Sequence, residues 1–346
     1  MSKLIGAQPL YHYESETKVY VPRQREPRIV AIGGGHGQST VLRGLKRYTT
    51  QLTGIVAVSD DGGGSGVLRE DLGILPPGDI RNCIMALSNA EPMLEKLMTY
   101  RFSTGSLGGQ SMGNLLLAAM SEICGSFEEA VRQLCELLAV TGKVLPVTDE
   151  SIFLEAEFEN GRTTLGESKI YYDKKVNNCR IREVRLVPRR PKALGDSVQE
   201  ILNADLIVIG PGSLYTSIIP NFLVEGITEA VAASRALKLF IMNVMTQDGE
   251  TEGYTGIDHL KAFCAHAAPG LVDVCIANSA SVDPGVAEAY RREDSEPIRL
   301  CREEIEALGI EVVEKPLTAH SRFARHDAEK LSAAIMEVFE KKRREC

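Results

Sequence analysis

The residues in this sequence that are best suited to chemistry stand in glycine-rich turns, and the first turn follows a β-branched run at residues 28–32. Its candidate ligand-binding residues are Gly33, Gly34, Gly35, His36 and Gly37. The free N–H groups and the dipole at a helix start favour an anionic phosphate there. The turn lacks the third glycine of a dinucleotide fingerprint and the Gly-Lys pair of a P-loop. The alternative is that these glycines only form a tight turn.

A pair of acidic residues, Asp60 and Asp61, ends the second apolar run, at residues 52–59. In a doubly wound fold, this position meets a ribose or a metal beside the first phosphate turn. One carboxylate could hold a base or ribose, or the pair could hold Mg²⁺ with ligand phosphates as the other ligands. A solvated loop acid is the alternative. The glycines at residues 62–66 either let a ligand approach the backbone or make the loop mobile.

A second candidate anion site follows the apolar run at residues 205–210 and again precedes a helical pattern. Its glycines and hydroxyl side chains favour a diphosphate, although a purely structural turn is the alternative. The candidate ligand-binding residues are Gly210, Gly212, Ser213, Tyr215 and Thr216. After the next apolar run, Asn243 and Thr246 belong to a long polar loop at the same expected edge of the sheet.

Three further polar residues stand at the starts of predicted helices. Asp79 and Asn82 follow two prolines and a glycine, which present them rigidly for ligand recognition. Asp79 is also suited to be the N-cap of its own helix. Asn114 lies at another glycine-rich helix entrance, where a helix cap alone explains the neighbouring Ser111.

These residues require a scaffold that brings the ends of several strands together. Continuously apolar runs alternate with helical patterns, which predicts a parallel sheet between helices. Helices are expected at residues 79–89, 91–101, 111–123, 127–139, 217–235, 257–268 and 326–342. We therefore predict an α/β fold with three Rossmann-like layers and a mostly parallel sheet.

Residues 144–190 interrupt this alternation. Apolar and polar residues alternate at 152–158, an Asn-Gly turn follows at Asn160, and a second strand ends near Lys169, which predicts a β-hairpin insertion. Residues 1–26 are polar and aperiodic, so we expect a flexible extension. The predicted organisation is this extension followed by a single domain, residues 27–346, that carries the β-rich insertion.

Composition limits the classes of partner. The formal net charge is −8, whereas nucleic-acid binding needs a dense set of cationic contacts, so we expect no nucleic-acid partner. No apolar stretch reaches the length of about 18 residues that suits a membrane helix, so we expect no membrane insertion. The eight cysteines are scattered, as in a reducing compartment. We expect a cytoplasmic protein that forms a homo-oligomer.

Taken together, the motifs resemble those of the YvcK gluconeogenesis-factor family. The motifs that carry the resemblance lie at residues 32–37, 59–63, 76–82, 113–116, 209–217 and 243–247. This family is related to the 2-phospho-L-lactate transferase (CofD) superfamily. That superfamily has a phosphate loop after the first strand and a Gly-Pro-Ser-Asn-type loop that corresponds to residues 210–213.

The resemblance implies that the protein binds UDP-N-acetylglucosamine or a related UDP-sugar, with its phosphates on residues 33–40 and 210–217. It implies support of cell shape and of cell-wall precursor synthesis on gluconeogenic carbon sources, together with a protein partner in that synthesis. It also implies a groove that accepts NAD-like dinucleotides. Tyr290 and Arg325 are similar to family positions that contact the nucleotide sugar. The chain departs from the family at His36, where relatives usually carry threonine.

Three functions stay open. A regulator that binds a nucleotide sugar needs no activated nucleophile, and the sequence satisfies this. A phosphoryl or nucleotidyl transferase of the CofD type would use Mg²⁺ held by Asp60 or Asp61, which are then the candidate catalytic residues. An NAD-dependent oxidoreductase requires an acid or base at the hydride site and a better dinucleotide fingerprint, and neither is visible. The regulator is favoured.

Overall fold

The structure is a computed structural model that describes residues 25–319 and 323–345. Its strands are β1 (Ile29–Gly33), β2 (Leu52–Val56), β3 (Lys143–Pro146), β4 (Phe153–Phe158), β5 (Thr163–Leu165), β6 (Ile181–Val187), β7 (Leu206–Ile209), β8 (Leu237–Ile241), β9 (Val274–Asn278) and β10 (Glu311–Lys315). In this part of the chain, seven strands form a parallel sheet in the order β10-β9-β8-β7-β1-β2-β3, and three form an antiparallel sheet in the order β5-β4-β6. The predicted α/β fold with a mostly parallel sheet is confirmed.

Helices cover both faces of the parallel sheet, since β1 and β7 are buried along their whole length. In chain order they are α1 (Gly35–Leu45), α2 (Gly63–Leu72), α3 (Pro77–Leu87), α4 (Pro92–Thr99), α5 (Met112–Cys124), α6 (Phe127–Leu137), α7 (Glu167–Asn177), α8 (Gly195–Leu202), α9 (Ile219–Phe222), α10 (Ile227–Ala233), α11 (Gly256–His266), α12 (Pro284–Arg291), α13 (Arg302–Glu306) and α14 (Ala328–Glu345). α1 packs against α3 and α14, whereas α9 packs against α10 and α11. Among the helices of the described residues, none combines the length and the apolar character that a membrane crossing requires.

The order of the strands reverses at β1. β2 and β3 lie on one side of it, whereas β7, β8, β9 and β10 lie on the other. Ile29 in β1 is therefore flanked by Leu52 of β2 and Leu206 of β7. In an open α/β sheet, such a reversal forms a crevice beyond the carboxyl ends of the strands, and ligands bind there. The turns after β1 and β7 thus meet at one crevice.

A buried glutamine of α1 joins the two strands on one side of this crevice. Gln38 is 0% exposed, and its Nε2 donates to the carbonyl oxygen of Ala31 at 2.9 Å and to that of Ile55 at 2.7 Å. The thiol of Cys83 donates to Gln38 Oε1 at 3.6 Å. Because a buried polar group without a partner is costly, these bonds fix the first turns of α1 over β1 and β2.

The insertion contains a helix where the sequence predicted a strand. β4 pairs with β5 and β6 in the antiparallel sheet, as the alternating pattern predicted. The second strand was placed up to Lys169, but it ends at Leu165, because Gly166, with a φ of 106°, turns the chain into α7. Residues 144–146, which were assigned to the insertion, belong to β3 and pair with β2 in the main sheet. The division into an extension and one domain stays a prediction, since residues 1–24 lie outside the described residues.

Two other local predictions were wrong. The helix expected at residues 217–235 is divided into a π-helical turn at Leu214–Ile218, then α9, then α10. Pro220 has no N–H to continue a regular helix, and Gly226, with a φ of 101°, starts α10. Residues 62–66, expected to form a loop, begin α2 instead. A Cβ on Gly66 would lie 2.1 Å from the carbonyl oxygen of Asp61, so this glycine serves helix packing.

Replacing Gln38 with leucine tests the bond between α1 and the central strands. The carbonyl oxygens of Ala31 and Ile55 each lose a buried donor, so we expect the free energy of unfolding to fall by about 1–3 kcal/mol. Urea denaturation followed by circular dichroism measures this difference. The control is Gln199→Leu on the exposed side of α8, with an expected change below about 0.5 kcal/mol. Equal stability of Gln38→Leu and the wild type would contradict the assigned role.

Candidate ligand-binding cleft

A cleft of about 630 Å³ opens at the carboxyl ends of the strands, where the turns after β1 and β7 meet. Its walls come from the first turn of α1, the loop at residues 211–213, the loop at residues 243–248 and the inserted helix α7. Ligand clefts commonly measure about 300–1,000 Å³, so this one accommodates a nucleotide-sized ligand. Within the described residues, a cleft of about 640 Å³ at the opposite edge of the sheet is lined by none of the predicted site residues.

Glycines allow the turns after β1 and β7 to touch each other. A Cβ on Gly37 would lie 2.1 Å from the carbonyl oxygen of Pro211. A Cβ on Gly34 would lie 2.9 Å from Asp79 Oδ2. Gly35 has a φ of 63°, in the left-handed region that favours glycine. These glycines therefore do more than form a tight turn, because they let two backbone segments share one wall of the cleft.

Asn243 holds the turn after β7 in place. Its Oδ1 accepts from the N–H of Gly212 at 3.1 Å, and its Nδ2 donates to the carbonyl oxygen of Gly212 at 2.7 Å. The preceding Gly210–Pro211 peptide bond is cis. Ser213 Oγ donates to Gln247 Oε1 at 2.7 Å. The loop after β8 thereby positions the loop after β7 against α1.

Asp79 joins the start of α3 to the start of α1. Its Oδ2 accepts from the N–H of Gly35 at 2.7 Å. It does not cap its own helix, which begins at Pro77 with no side-chain cap. Burial, assisted by the neighbouring carboxylate of Asp60, raises the pKa of Asp79 to about 6. Asp79 is thus a half-buried group that fixes the first turn of α1 from below the cleft wall.

The first turn of α1 offers backbone N–H groups to the cleft. His36 and Gly37 both line the cleft. N–H groups in a first turn have no acceptor inside their own helix, and the positive end of the helix dipole lies at the same place. Partial burial and the charge of Arg325 lower the pKa of His36, so its imidazole is mainly neutral at pH 7. The turn therefore attracts an anion through its backbone more than through His36.

Carboxylates gather on the β2 side of the cleft. Asp60, Asp79 and Glu167 all line it. Burial raises the pKa of Asp60, and burial together with Asp60 and Asp79 raises the pKa of Glu167 well above its usual value. In the part of the chain that the structure describes, no group of three or more side chains is arranged to hold a metal ion. A divalent cation here would therefore need oxygen ligands from a bound molecule.

Asp61 has a different role from its neighbour Asp60. It does not line the cleft, and its Oδ1 accepts from the N–H of Ser168 at 2.9 Å, in the first turn of α7. A Cβ on Gly166 would lie 2.5 Å from Asp61 Oδ2. A carboxylate at a helix start satisfies a free N–H group and suits the helix dipole. Asp60 thus faces the cleft, whereas Asp61 anchors the insertion.

The β8 side of the cleft combines an apolar surface with polar side chains of the loop at residues 243–248. Tyr290 lines it and packs against a small cluster of buried side chains. The buried members of this cluster are Val244, Met245 and Ala324. An apolar surface with an accessible aromatic ring is suited to the base of a nucleotide, because every base can stack on such a ring.

Arg325 supplies positive charge to the same side. It is exposed, it lines the cleft, and its guanidinium lies 5.0 Å from the ring centroid of Phe323. It forms no ion pair with the residues that the structure describes. Burial lowers the pKa of the next residue, His326, to about 4, so that this imidazole is neutral. Arg325 therefore supplies a positively charged side chain to the lining of the cleft.

The structure brings most of the predicted site residues into this cleft. Those that line it are Gly34, Gly35, His36, Gly37, Asp60, Asp79, Gly212, Ser213, Asn243, Thr246, Tyr290 and Arg325. Those that do not line it are Gly33, Asp61, Asn82, Asn114, Gly210, Tyr215 and Thr216. Ligand binding by any of these residues stays a prediction.

Tyr215 and Thr216 face the protein interior. Tyr215 is 2% exposed, and its hydroxyl lies 2.9 Å from that of Tyr254. Glu250 accepts from the N–H of Tyr215 at 3.2 Å and from Thr216 Oγ1 at 2.8 Å. Because Glu250 is itself only 4% exposed, burial raises its pKa to about 7. Tyr215 and Thr216 thus hold the π-helical turn in place, and their expected contact with a ligand stays a prediction.

Asn82 and Asn114 belong to a polar group around Arg81. The guanidinium of Arg81 donates to Asn82 Oδ1 at 2.7 Å and to Ser111 Oγ at 2.5 Å. Ser111 Oγ also accepts from the N–H of Asn114 at 3.3 Å, which makes Ser111 the cap of α5. This group connects α3 to α5 beside the cleft.

Several lining residues were not named as ligand contacts from the sequence. They are Glu167, Tyr171, Val244, Met245, Gln247, Asp248, Glu293, Ser295, Ala324 and His326, whereas Thr40, Pro211 and Ser217 lie within the phosphate loops that the resemblance implied. Glu167 and Tyr171 stand four residues apart, a spacing that puts two side chains on one helix face. That signal was hidden because the segment was assigned to a hairpin strand.

The fold and the cleft define a class of protein, a doubly wound α/β protein with a crevice at the reversal of strand order and glycine-rich turns in its wall. Residues 29–318 match the model of the family described as 2-phospho-L-lactate transferase CofD. This match covers both glycine-rich turns and the insertion.

Relatives narrow the class. A protein from Thermoanaerobacterium thermosulfurigenes is 49% identical over 315 residues, which are 91% of this chain and 97% of the relative. A gluconeogenesis factor from Bacillus subtilis is 44% identical, over 91% of this chain and 98% of its own. Two crystal structures of a Bacillus halodurans protein, one of them described as a member of the UPF0052 family, are 44% identical in sequence to this chain and superpose on it with a TM-score of 0.87. Each match covers 90% of this chain, and the matches cover 100% and 99% of the two crystallised chains. The chain belongs to the gluconeogenesis-factor family, UPF0052, within the CofD superfamily.

Replacing Glu250 with glutamine tests the buried carboxyl beneath the π-helical turn. A pKa raised from the usual 4.5 to about 7 means that folding favours the protonated form. The wild type therefore loses stability as the pH rises through this window. We expect the unfolding free energy of Glu250→Gln, relative to the wild type, to increase by about 1–3 kcal/mol between pH 4.5 and pH 7.

Urea denaturation over a series of pH values measures this dependence. The matched control is Glu159→Gln at an exposed position of the insertion, for which we expect an unfolding free energy within about 0.5 kcal/mol of the wild type. A difference in unfolding free energy between Glu250→Gln and the wild type that stays constant with pH would show that folding does not raise the pKa of Glu250.

Proposed function

We propose that this chain binds a nucleotide sugar of the UDP-N-acetylglucosamine type and acts as a regulator on gluconeogenic carbon sources. The observation that carries the proposal is the contact between two glycine-rich helix starts, α1 and the π-helical turn, in one cleft. Asp79 and Asn243 already hold the N–H groups of Gly35 and Gly212, so the other N–H groups of each helix start are the ones suited to an anion. Two such starts in contact suit a diphosphate, which presents two anionic groups in succession.

The β8 side of the cleft supports a nucleoside next to that diphosphate. The accessible ring of Tyr290 offers a base a stacking surface against the apolar cluster. Arg325 lies near the first turn of α1, since its charge lowers the pKa of His36. A guanidinium binds phosphate oxygens with two parallel hydrogen bonds. We therefore assign Tyr290 to the base and Arg325 to the diphosphate.

The gluconeogenesis-factor relatives support the cellular part of the proposal. We infer that the protein acts in the cytoplasm as a homo-oligomer and supports cell shape and cell-wall precursor synthesis through a protein partner. A regulator needs no activated nucleophile, and Ser213 Oγ donates to an amide oxygen of Gln247 rather than to a base. An NAD-like dinucleotide carries the same diphosphate, so the same cleft would accept it.

Replacing Arg325 with alanine should weaken the binding of UDP-N-acetylglucosamine about 10- to 100-fold, because a hydrogen bond to a charged group contributes about 1.5–3 kcal/mol. Calorimetric titration of the purified full chain measures the affinity. Arg299→Ala is the matched control, since Arg299 is also exposed but does not line the cleft. Unchanged affinity in Arg325→Ala would remove this residue from the site. Absence of any binding to the wild type would remove the proposal itself.

A Mg²⁺-dependent phosphoryl or nucleotidyl transferase of the CofD type is the second candidate function. The carboxylates of Asp60 and Asp79 favour it, because they line the cleft beside the anion site. They fit a hard cation that shares ligand phosphates, and such a cation would stabilise charge on a transferring phosphoryl group. Asp61 does not fit this role, because its carboxylate accepts from the first turn of α7.

Recovery of the nucleotide separates the two functions. We expect UDP-N-acetylglucosamine to be recovered intact after incubation with or without Mg²⁺, and we expect Asp60→Asn to change its affinity by less than about tenfold. Chromatography of the recovered nucleotide and calorimetry measure these outcomes, with Asp71→Asn on the exposed end of α2 as the control. Conversion by the wild type that falls at least about 100-fold in Asp60→Asn would instead establish the transferase.

A further inference from the structure

The inserted helix α7 spans the crevice from the β2 side to the β8 side. Its first turn is held by Asp61, which follows β2, through the N–H of Ser168. Lys175, near its other end, donates to Asp248, which follows β8. β2 and β8 are three strand spacings apart in the sheet, which is about 14 Å. The eight residue steps from Glu167 to Lys175 rise about 12 Å, so one short helix bridges most of this distance.

Contacts at both ends make α7 a fixed wall. The side chain of Lys174, which is 5% exposed, pairs with Glu252 at 2.8 Å. Tyr171 donates to Asp248 Oδ2 at 2.9 Å. A Cβ on Gly249 would lie 2.2 Å from a ring carbon of Tyr171, so the ring rests directly on the backbone of the loop after β8. The position of every side chain on this face of α7 is thereby set relative to the sheet.

Glu167 and Tyr171 occupy the face of α7 that lines the cleft. The carboxylate of Glu167 makes no hydrogen bond or ion pair with any residue in the described part of the chain. A carboxylate accepts hydrogen bonds from hydroxyl groups, and an aromatic ring packs on the apolar face of a ring-shaped ligand. Together they form the kind of wall that recognises a molecule with several hydroxyl groups.

The order of the strands places this wall relative to the anion site. Tyr290 and the apolar cluster lie on the β8 side, the two glycine-rich turns follow β7 and β1, and Asp60 with Glu167 lies on the β2 side. From the β8 side to the β2 side, a base, a diphosphate and a further group would therefore follow one another along the edge of the sheet. The group attached beyond the diphosphate reaches Glu167.

We infer that Glu167 binds the hydroxyl groups of the sugar in a nucleotide sugar, so that the insertion is the element that distinguishes a nucleotide sugar from the bare nucleoside diphosphate. The inference rests on the proposed function, since it takes the diphosphate to lie between α1 and the loop after β7. Asp60 stands beside Glu167 and offers a second acceptor. Tyr171 lies farther along α7, against the loop after β8.

Calorimetric titration of the full chain with UDP and with UDP-N-acetylglucosamine tests this assignment. We expect Glu167→Ala to weaken the binding of UDP-N-acetylglucosamine about 10- to 100-fold, because the sugar contacts are lost. The affinity for UDP should change by less than about twofold. Glu167→Gln, which keeps one acceptor oxygen, should show a smaller loss in the same direction. Glu159→Ala, at an exposed position of the same insertion, should change neither affinity.

The outcomes separate this inference from the proposed function. Wild-type binding of UDP-N-acetylglucosamine with no loss in Glu167→Ala would overturn the inference alone. An equal loss for UDP and the sugar nucleotide would also overturn it, since Glu167 would then act on the nucleotide. A loss that occurs with Mg²⁺ and disappears with a chelator would assign Glu167 to cation binding instead. Absence of binding to the wild type would overturn the proposed function and this inference together.

Discussion

The contact between the first turn of α1 and the loop after β7 is the constraint on which the rest of the cleft depends. It requires that no side chain stand at Gly37, where a Cβ would lie 2.1 Å from the carbonyl oxygen of Pro211. Once the two backbones touch, the groups around them must hold each one in position. Asp79 holds the N–H of Gly35, and Asn243 holds both polar groups of Gly212. The residues after β8 and at the start of α3 therefore serve the same contact, although they are far apart in the sequence.

The electrostatics of the cleft follow from where each loop leaves the sheet. Carboxylates on the β2 side raise one another's pKa and stand next to a site that attracts anions. This arrangement is unfavourable for an empty, ionised cleft, because like charges repel in partly buried surroundings. Protonation, a cation or the hydroxyl groups of a ligand would each relieve it. The apolar surface and Arg325 lie on the other side of the glycine-rich turns, together with the carboxylates of Asp248 and Glu293, so the two ends of the cleft carry different side chains.

Sequence patterns predicted the parts of this protein that depend on local backbone chemistry. Continuous apolar strands and glycine-rich helix starts gave the parallel sheet and the two turns of the cleft, because both signals are local. The direction of a side chain depends on distant partners instead. The sequence does not show that Thr216 donates to the distant Glu250. It also does not separate Asp61 from Asp60, because the N–H of Ser168 in α7, which Asp61 accepts from, lies far along the chain. The helix α7 itself was missed because the preceding residues alternate as strands do, and its cleft-lining face is formed by only Glu167 and Tyr171.

The hydrogen-bond donors that line the cleft help to distinguish a binding protein from an enzyme. Within the described part of the cleft, Arg325 is the lining side chain with a permanent positive charge, and His36 and His326 have lowered pKa values. Most of the attraction for a diphosphate would therefore come from backbone N–H groups that the fold holds in place. Preformed N–H groups give affinity without rate where they bind the ground state and the transition state equally, and they raise the rate where they meet charge that develops in the transition state. Catalysis by side chains would need groups that stabilise charge or transfer protons as a bond breaks. Asp60 and Glu167, which line the cleft on the β2 side, are candidates for such groups. Any transfer reaction in this cleft would thus occur at the far end of the diphosphate, where the sugar is attached, and not at the nucleoside.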